Sequence, residues 1–252
     1  MKHFKLRTDL TIKVGEKTLY RIEATKDIEK YSVKAGDFGG YVEKEDNMSD
    51  NAWVSGDARV YDNALVSGDA LVSGNAEVYD DAWVYGNACV SGNAMVYGKS
   101  RVYGDARVSG DAWLSGNARV YGNADVSGDA EVSGNADVYG NACVSGDAWV
   151  YGDAWVYGDA DVSGNAMVYG DADVSGDKIK KENDLINITS NIGSYNVTIT
   201  PNHIKIGCQY HSKTAWFNFT DKEIRKMDGE KAVNWWKTWK PILQAICDGL
   251  KR

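Results

Sequence analysis

The sequence predicts a β-solenoid followed by a small α+β domain. A six-residue phrase, Asn/Asp-Ala-x-Val-Ser/Tyr-Gly, occurs 21 times with few substitutions between residues 51 and 176. No insertion interrupts these repeats, and the composition changes abruptly after Gly176. Self-similarity at a short, fixed period is typical of solenoids, in which each repeat contacts its neighbours.

Each phrase predicts one short strand and one corner. The strand is Ala-x-Val-Ser/Tyr, and the corner is Gly-Asn/Asp, two residue types that tolerate the positive φ of a tight turn. Side chains on a strand alternate between its two faces. We therefore expect Ala and Val to point inward, and the x residue and the Ser or Tyr to point outward.

The inward positions pair an aliphatic residue with a small residue four positions later, as in Val54 with Ala58 and Val60 with Ala64. This phrase resembles the hexapeptide of left-handed parallel β-helices, which are three-sided prisms. The resemblance implies a left-handed helix with three hexads per coil. Residues 51–177 would then form about seven regular coils, roughly 34 Å long at a strand spacing of about 4.8 Å.

Stacking every eighteenth residue assigns each outward side chain to one of three faces. After the valine, the first face carries a column of serines: Ser55, Ser73, Ser91, Ser109, Ser127, Ser145 and Ser163. The second face has Tyr61, Tyr79, Tyr97, Tyr151 and Tyr169, interrupted by Ser115 and Ser133. The third face has Tyr85, Tyr103, Tyr121, Tyr139 and Tyr157, with Ser67 and Ser175 at its ends.

Five tryptophans occupy the outward x position. Trp53 falls on the first face, Trp113 and Trp149 on the second, and Trp83 and Trp155 on the third. Stacked tyrosines can stabilise a sheet by about 0.2–1 kcal/mol per cross-strand contact. Exposed Tyr and Trp also anchor protein interfaces, so two faces are candidate contact surfaces.

The candidate binding residues are aromatic side chains on the second and third faces, together with two arginines of the third face. They are Tyr85, Tyr103, Tyr121, Tyr139, Tyr157, Trp83, Trp155, Trp113, Trp149, Arg101 and Arg119. The arginines could hold phosphates while the rings stack on a base. Arg107 falls on the first face, away from the other two.

Charge also divides the chain. Residues 51–177 hold 17 Asp and 2 Glu against 4 Arg and 1 Lys, whereas the whole chain has a net charge of −8. Most of these aspartates occupy the turn position. An acidic rod is a poor ligand for phosphates, so direct binding of DNA or RNA is not expected. It could instead mimic nucleic acid to occupy a basic protein.

Residues 1–50 predict a cap for the open end of the solenoid. Thr11–Val14 and Thr18–Ile22 suggest a hairpin, and Val42, Met48 and Val54 are spaced by six, as in a degenerate first coil. The segment from Lys34 to Val42, Lys-Ala-Gly-Asp-Phe-Gly-Gly-Tyr-Val, resembles the N-terminal signature of small hexapeptide-repeat proteins of bacteriophages and prophages. Their repeats are often called transferase-like. The resemblance implies a phage origin.

Residues 178–252 predict a C-terminal α+β module after a charged linker over 177–184. Ser194–Thr200 and His203–Tyr210 suggest a hairpin, and Ala215–Phe219 a third strand. Thr220 and Glu223 have capping-box spacing, which starts a helix to about Met227. A second helical segment runs from Lys231 to Leu250, with Pro241 expected to kink or restart it.

Catalysis is not expected. Many left-handed β-helices are acyltransferases with a histidine base, but the three histidines here, His3, His203 and His211, all lie outside the repeats. The coils therefore cannot supply such a base or a three-histidine zinc site. Cys208 and His211 have the spacing of half a metal site, without a second such pair. We expect no cofactor and no metal.

The four cysteines, the absence of a signal peptide and the absence of a long apolar run favour the cytoplasm of a bacterial host, with no membrane contact. Cys89 and Cys143 fall three coils apart on the first face, about 14 Å and too far to bridge.

These observations favour a non-catalytic binding or scaffold protein, encoded by a phage, that forms a trimer or dimer through its β-helix and engages a host protein. The main alternative is capture of a small molecule, such as a nucleotide signal of host defence, which would make the protein an anti-defence factor. An acyltransferase-like enzyme is a further alternative that the missing histidines disfavour.

Overall fold

The computed structural model describes residues 2–188 and 195–249, and it contains a β-solenoid with a docked C-terminal module. Three parallel sheets form the solenoid, and strands eighteen residues apart are hydrogen-bonded neighbours. Among the described residues, no helix combines the length and the apolar composition that crossing a membrane requires.

Each face of the solenoid is one sheet. The first face contains Trp53–Val54, Leu71–Val72, Cys89–Val90, Arg107–Val108, Asp125–Val126, Cys143–Val144, Asp161–Val162 and Lys178–Ile179. The second face contains Phe38–Val42, Arg59–Val60, Glu77–Val78, Met95–Val96, Trp113–Leu114, Glu131–Val132, Trp149–Val150 and Met167–Val168. The third face contains Leu65–Val66, Trp83–Val84, Arg101–Val102, Arg119–Val120, Asp137–Val138, Trp155–Tyr157 and Asp173–Ser175.

The solenoid is longer than the regular repeat and has about eight turns. At its start, Val42 pairs with Val60, and Met48 forms a bridge with Val66, which confirms the degenerate first coil. At its end, Lys178–Ile179 pairs in parallel with Asp161–Val162. The prediction of a linker over 177–184 is therefore wrong, because Ile179 is a buried aliphatic residue in the inward position of one more strand.

The interior is a column of small and branched side chains, as the alternation predicts. Val54, Ala58, Val60 and their equivalents in the other coils are buried, and together they form one continuous core. At position 100 a serine replaces the usual alanine, and its hydroxyl donates to the carbonyl of Tyr97 at 2.7 Å. The polar substitution is tolerated because its hydrogen bond is made locally.

The corners are close-packed as well as tightly turned. Gly110 has a φ of +74°, and a Cβ at this position would lie 2.8 Å from the backbone N and O of Gly128 in the next coil. Asp80 occupies a corresponding corner with a φ of 58°, and its carboxylate accepts from the N–H of Gly98 at 3.1 Å. This aspartate thus offsets part of the strain of its left-handed backbone.

Asn and Asp side chains at the corners form hydrogen-bonded ladders along the rod. Asn75 donates to Asn93 at 3.0 Å, and Asn93 donates to Asp111 at 2.7 Å. Asn141 and Asp159 make the same contact at another corner. The interchange of Asn and Asp in the sequence therefore supplies donors and acceptors between coils, in addition to turn propensity.

The N-terminal cap is a hairpin of Phe4–Val14 and Lys17–Ala24, longer than predicted, whose second strand joins Phe38–Val42. Short 3₁₀ turns occur at Glu29–Tyr31 and Glu45–Asn47. His3 approaches the carbonyl of Ala52 with its Nε2 at 2.7 Å, and its ring lies near that of Trp53. Trp53 is buried here. Trp53 keeps the outward x position of its strand, and it is buried because the cap covers the first coil.

The C-terminal module contains an antiparallel sheet and two helices. The strands follow chain order: Ile186–Ile188, Val197–Ile199, His203–Ile206 and Gln209–Ser212. A 3₁₀ turn at Glu182–Asp184 precedes the sheet. Helix α1 spans Lys213–Asn218, and helix α2 spans Asp221–Gly249. Ser194 and Leu250, which bounded two sequence predictions, lie outside the described residues.

Two strand predictions for this module are wrong. The segment His203–Tyr210 contains two strands joined by a turn at Gly207 and Cys208, not one strand. The segment Ala215–Phe219 lies largely in α1 rather than in a strand, because the Ser212 hydroxyl accepts from the N–H of Ala215 and caps a helix. Helix α2 continues through Pro241 and does not restart there. Its break is at Asp228 and Gly229, the only described positions of the helix with non-helical φ and ψ, and it lies between the two helical segments that the sequence predicts.

Candidate interaction surface

The third face carries a continuous stack of five tyrosines. The ring centroids of Tyr85, Tyr103 and Tyr121 are 4.8 Å apart in succession, and Tyr139 and Tyr157 follow at 4.9 and 5.1 Å. All five rings are half-buried against one another. Burial raises the pKa of Tyr121 to about 12, so its hydroxyl is a neutral donor at physiological pH. The stack forms a flat aromatic strip along the rod.

A tryptophan occupies the x position beside the first and the last tyrosine of this strip. Trp83 and Trp155 are 44% and 47% exposed, and four strand spacings of about 4.8 Å separate their strands by roughly 19 Å. The guanidinium of Arg101 lies 5.2 Å from the centroid of the Trp83 ring. Arg101 is exposed and forms no ion pair with any described residue. Trp83 and Arg101 therefore form an aromatic and cationic projection.

Arg119 has a different role from Arg101, although the two arginines are neighbours in the sheet. Its Nε lies 2.6 Å from Oδ1 of Asp137, and its Nη2 lies 2.5 Å from Oδ2. Asp137 is only 2% exposed. A paired guanidinium of this kind positions the carboxylate and leaves less charge for a phosphate. The structure thus places both predicted arginines on one face but leaves only Arg101 unpaired.

At the other end of the face, a cleft of about 460 Å³ lies between Trp155 and the C-terminal module. Asp153 and Asp171 line its solenoid side and are both exposed. Lys205 lines the module side and pairs with Asp173. Sequence reasoning missed this cleft because the docking of the module could not be read from the repeats.

The second face has two exposed tryptophans without a continuous stack. Trp113 and Trp149 are 46% and 49% exposed, and the strand that carries Glu131 lies between them. Tyr61, Tyr79 and Tyr97 stack at 5.1 and 5.0 Å nearer the N-terminus. The serines at 115 and 133 interrupt the column. Tyr151 and Tyr169 stack at 5.9 Å beyond the interruption, so this face presents two short stacks and not one continuous strip.

The first face has a different surface. Its outward x positions include Cys89, Arg107 and Cys143, and both cysteines are free thiols, as predicted from their separation. Burial raises the pKa of each thiol. No large hydrophobic side chain of this face is exposed within the described residues. The aromatic surface is thus confined to the second and third faces.

The three histidines lie in the cap and the module. His203 donates from Nδ1 to buried Asp177 at 2.8 Å, and His211 packs its ring against Trp216 and Phe219. Within residues 2–188 and 195–249, no group of three or more His, Cys, Asp or Glu side chains has the geometry to hold a metal ion.

Three segments of the solenoid, residues 58–74, 100–116 and 136–152, match the model of the YdcK β-solenoid repeat. No curated protein matches the chain. The matched segments lie wholly within the three-sided coils, and the cap and the C-terminal module fall outside them. The chain is therefore a repeat β-solenoid protein whose coils are similar to the YdcK solenoid repeat.

Proposed function

We propose that this protein is a non-catalytic scaffold that pairs with a second copy through its third face and engages a protein of a bacterial host with its C-terminal modules. The observation that carries the proposal is the arrangement at the two ends of the tyrosine strip. One end has the projection formed by Trp83 and Arg101, and the other has the acidic cleft beside Trp155.

The projection and the carboxylates of the cleft are complementary in charge. The guanidinium of Arg101 would meet the carboxylates of Asp153 and Asp171, and the Trp83 ring would meet Trp155. In a two-fold antiparallel pair, both contacts form at once, because a two-fold interface uses the same patch on both copies. The tyrosine strips would face each other at the centre, where well-packed aromatic rings contribute most to binding.

The same arrangement explains how an acidic rod could associate with itself. Most of its aspartates, such as Asp111 and Asp129, are turn residues at the corners, outside the flat faces. On the third face, Arg119 pairs with Asp137. Asp153 and Asp171 are corner residues as well, but in the proposed pair they meet Arg101 of the second copy, so that opposite charges and not like charges come together. The pair would present one C-terminal module at each end, as suits a scaffold.

A charge-exchange experiment tests the proposal. Arg101→Glu should give a monomer, since the introduced carboxylate would oppose the aspartates of the second copy, and the double variant Asp153→Lys, Asp171→Lys should also be monomeric. Mixing the two variants should restore a heterodimer, because every contact then pairs opposite charges. Mass would be measured by light scattering after size-exclusion chromatography and by native mass spectrometry.

Arg107→Glu is the matched control, since it makes the same charge change on the first face. It should remain dimeric. A monomeric wild type, or an Arg101→Glu variant that stays dimeric, contradicts the proposal. Recovery of the mixed heterodimer excludes misfolding as the reason for dissociation.

The phage origin and the host partner belong to the same proposal, and their support is the N-terminal resemblance together with the two modules at opposite ends. Affinity capture from bacterial lysate with wild type and with the Arg101→Glu monomer tests them. A host protein retained by both forms, and lost when the C-terminal module is altered, is the expected result.

A further inference from the structure

The C-terminal module contains a cavity of about 310 Å³, which shares Tyr195 with the cleft beside Trp155. Its walls are largely aromatic and aliphatic, and they include Trp216, Trp235, Trp236, Tyr195 and Ile224. These side chains belong to the core that the sheet and the two helices share. Pockets for small organic molecules have volumes of about 300–1,000 Å³ and a similar lining.

Trp236, which lines the cavity, has a polar atom without a partner. Trp236 is 3% exposed, and its Nε1 is buried with no hydrogen-bond acceptor among the described residues. Its neighbour Trp216 differs, because Nε1 of that ring donates to the carbonyl of Ile204 at 2.6 Å. A buried N–H without an acceptor costs about 1–3 kcal/mol. A ligand with an acceptor atom would recover this free energy.

The break in α2 shapes another part of the wall. Asp228 and Gly229 leave the helical conformation, and Asp228 then lines the cavity, where Oδ2 lies 2.5 Å from the hydroxyl of Tyr195. The ammonium of Lys231 lies 5.4 Å from the centroid of the Tyr195 ring. With Asp228 on the wall, an anionic ligand is disfavoured. The lining suits an uncharged molecule.

We propose that this cavity binds a small, uncharged, planar aromatic molecule that carries a hydrogen-bond acceptor, with Nε1–H of Trp236 as the donor. The size is sufficient, since a cavity of about 150 Å³ in another protein holds benzene, and this one is about twice as large. Indole and phenol walls stack on planar rings and meet their edges. The unpaired N–H distinguishes a ligand with an acceptor from a pure hydrocarbon.

Two probes of similar shape distinguish a hydrogen bond to Trp236 from hydrophobic burial alone as the source of affinity. Coumarin is planar and bicyclic with a carbonyl acceptor, whereas naphthalene has no such acceptor. Wild type should bind coumarin about threefold to tenfold more tightly than naphthalene, the range that one net hydrogen bond supplies. Trp236→Phe should lose this preference and still bind naphthalene. Isothermal titration calorimetry would measure both affinities.

Indole N–H resonances locate the probe. In ¹⁵N-labelled protein, the signal that Trp236→Phe removes should move downfield with coumarin and shift less with naphthalene. Ala232→Phe, which places a ring inside the cavity, should abolish binding of both probes. Trp113→Phe, on the solenoid, is the control and should bind both probes as wild type does.

Three results would overturn the inference: equal affinity for the two probes, a preference that survives in Trp236→Phe, or no binding of either probe at millimolar concentration. A thermal unfolding scan of each variant establishes that the module is folded, so that loss of binding can be assigned to the cavity. The dimer experiments on the third face are independent of these measurements.

Discussion

Asp177 accepts a hydrogen bond from His203 at 2.8 Å and so joins the last corner of the solenoid to the sheet of the C-terminal module. Asp177 is fully buried. Asn202 donates to its other oxygen at 2.9 Å, and the hydroxyl of Thr200 donates to the same oxygen as His203. The phenol of Tyr210 lies 2.5 Å from the carbonyl of Ser175 in the same corner. One turn residue thus organises the docking of a whole module.

Asp177→Ala should release the module from the rod. Three donors would lose their acceptor, at a cost of about 3 kcal/mol or more. Limited proteolysis should then cut near residues 178–202 much faster than in wild type. Asp159→Ala is the matched control, since Asp159 occupies the same corner one coil earlier and is exposed. Equal cleavage rates for wild type and Asp177→Ala would contradict this role.

The N-terminal cap should lose stability in mild acid. Burial lowers the pKa of His3 below its ordinary value of 6.5, and the charges of Lys26 and Lys2 lower it further. The hydrogen bond to Ala52 opposes this shift only in part. The unfolded chain takes up a proton near pH 6.5, but the folded cap does so only at lower pH. Stability therefore falls as the pH drops below about 6.5, until His3 is protonated in both states.

His3→Gln removes this titration and isolates its effect. The difference in unfolding free energy between wild type and His3→Gln should be constant above pH 7. As the pH falls from 6.5 towards the folded pKa of His3, wild type should lose stability relative to His3→Gln. Urea unfolding from pH 5 to 8 measures it. A difference that does not change with pH would show that His3 does not titrate during unfolding.

Much of the solenoid could be predicted because one hexad encodes one strand and one corner. The repeat placed Tyr103 beside Tyr121 and Arg101 beside Arg119, and the structure confirms both pairs. Long-range contacts carry no such periodicity. The burial of Trp53 beneath the cap depends on a segment fifty residues away.

The candidate contact surface could also be predicted only in part. Its aromatic strip follows from the period of eighteen, but the acidic cleft depends on how the module docks. The sequence predicted that Asp177 begins a charged linker, because the regular repeat ends at Gly176. The cavity of the module was also beyond prediction, because its walls come from a sheet and from two parts of α2 separated by Asp228 and Gly229.

Corner glycines should be needed for close packing as well as for their backbone conformation. Gly176→Ala should cost about 1–2 kcal/mol, since its φ is +67° but no atom lies within 4 Å of the added Cβ. Gly110→Ala has a similar φ, and its Cβ would meet Gly128 at 2.8 Å. Its cost should be larger by about 1–3 kcal/mol. Similar values from denaturant unfolding would show that the coils separate easily at a corner.

The tyrosine stack should stabilise the rod independently of association. Tyr121→Ser removes ring contacts with both Tyr103 and Tyr139, whereas Tyr97→Ser removes one, because its other neighbour in the column is Ser115. Serine already occupies this position in many coils, so neither backbone is strained. With about 0.5–1.5 kcal/mol per aromatic contact, Tyr121→Ser should cost about twice as much as Tyr97→Ser.

Both tyrosine variants would be measured by urea unfolding in the Arg101→Glu background, so that self-association does not contribute to the free energy. Equal costs for the two variants would mean that burial of each ring, and not its stacking, sets the stability. In that case the continuous strip of the third face would be explained by binding and not by stability. An interrupted column, such as that of the second face, would stabilise the solenoid equally well.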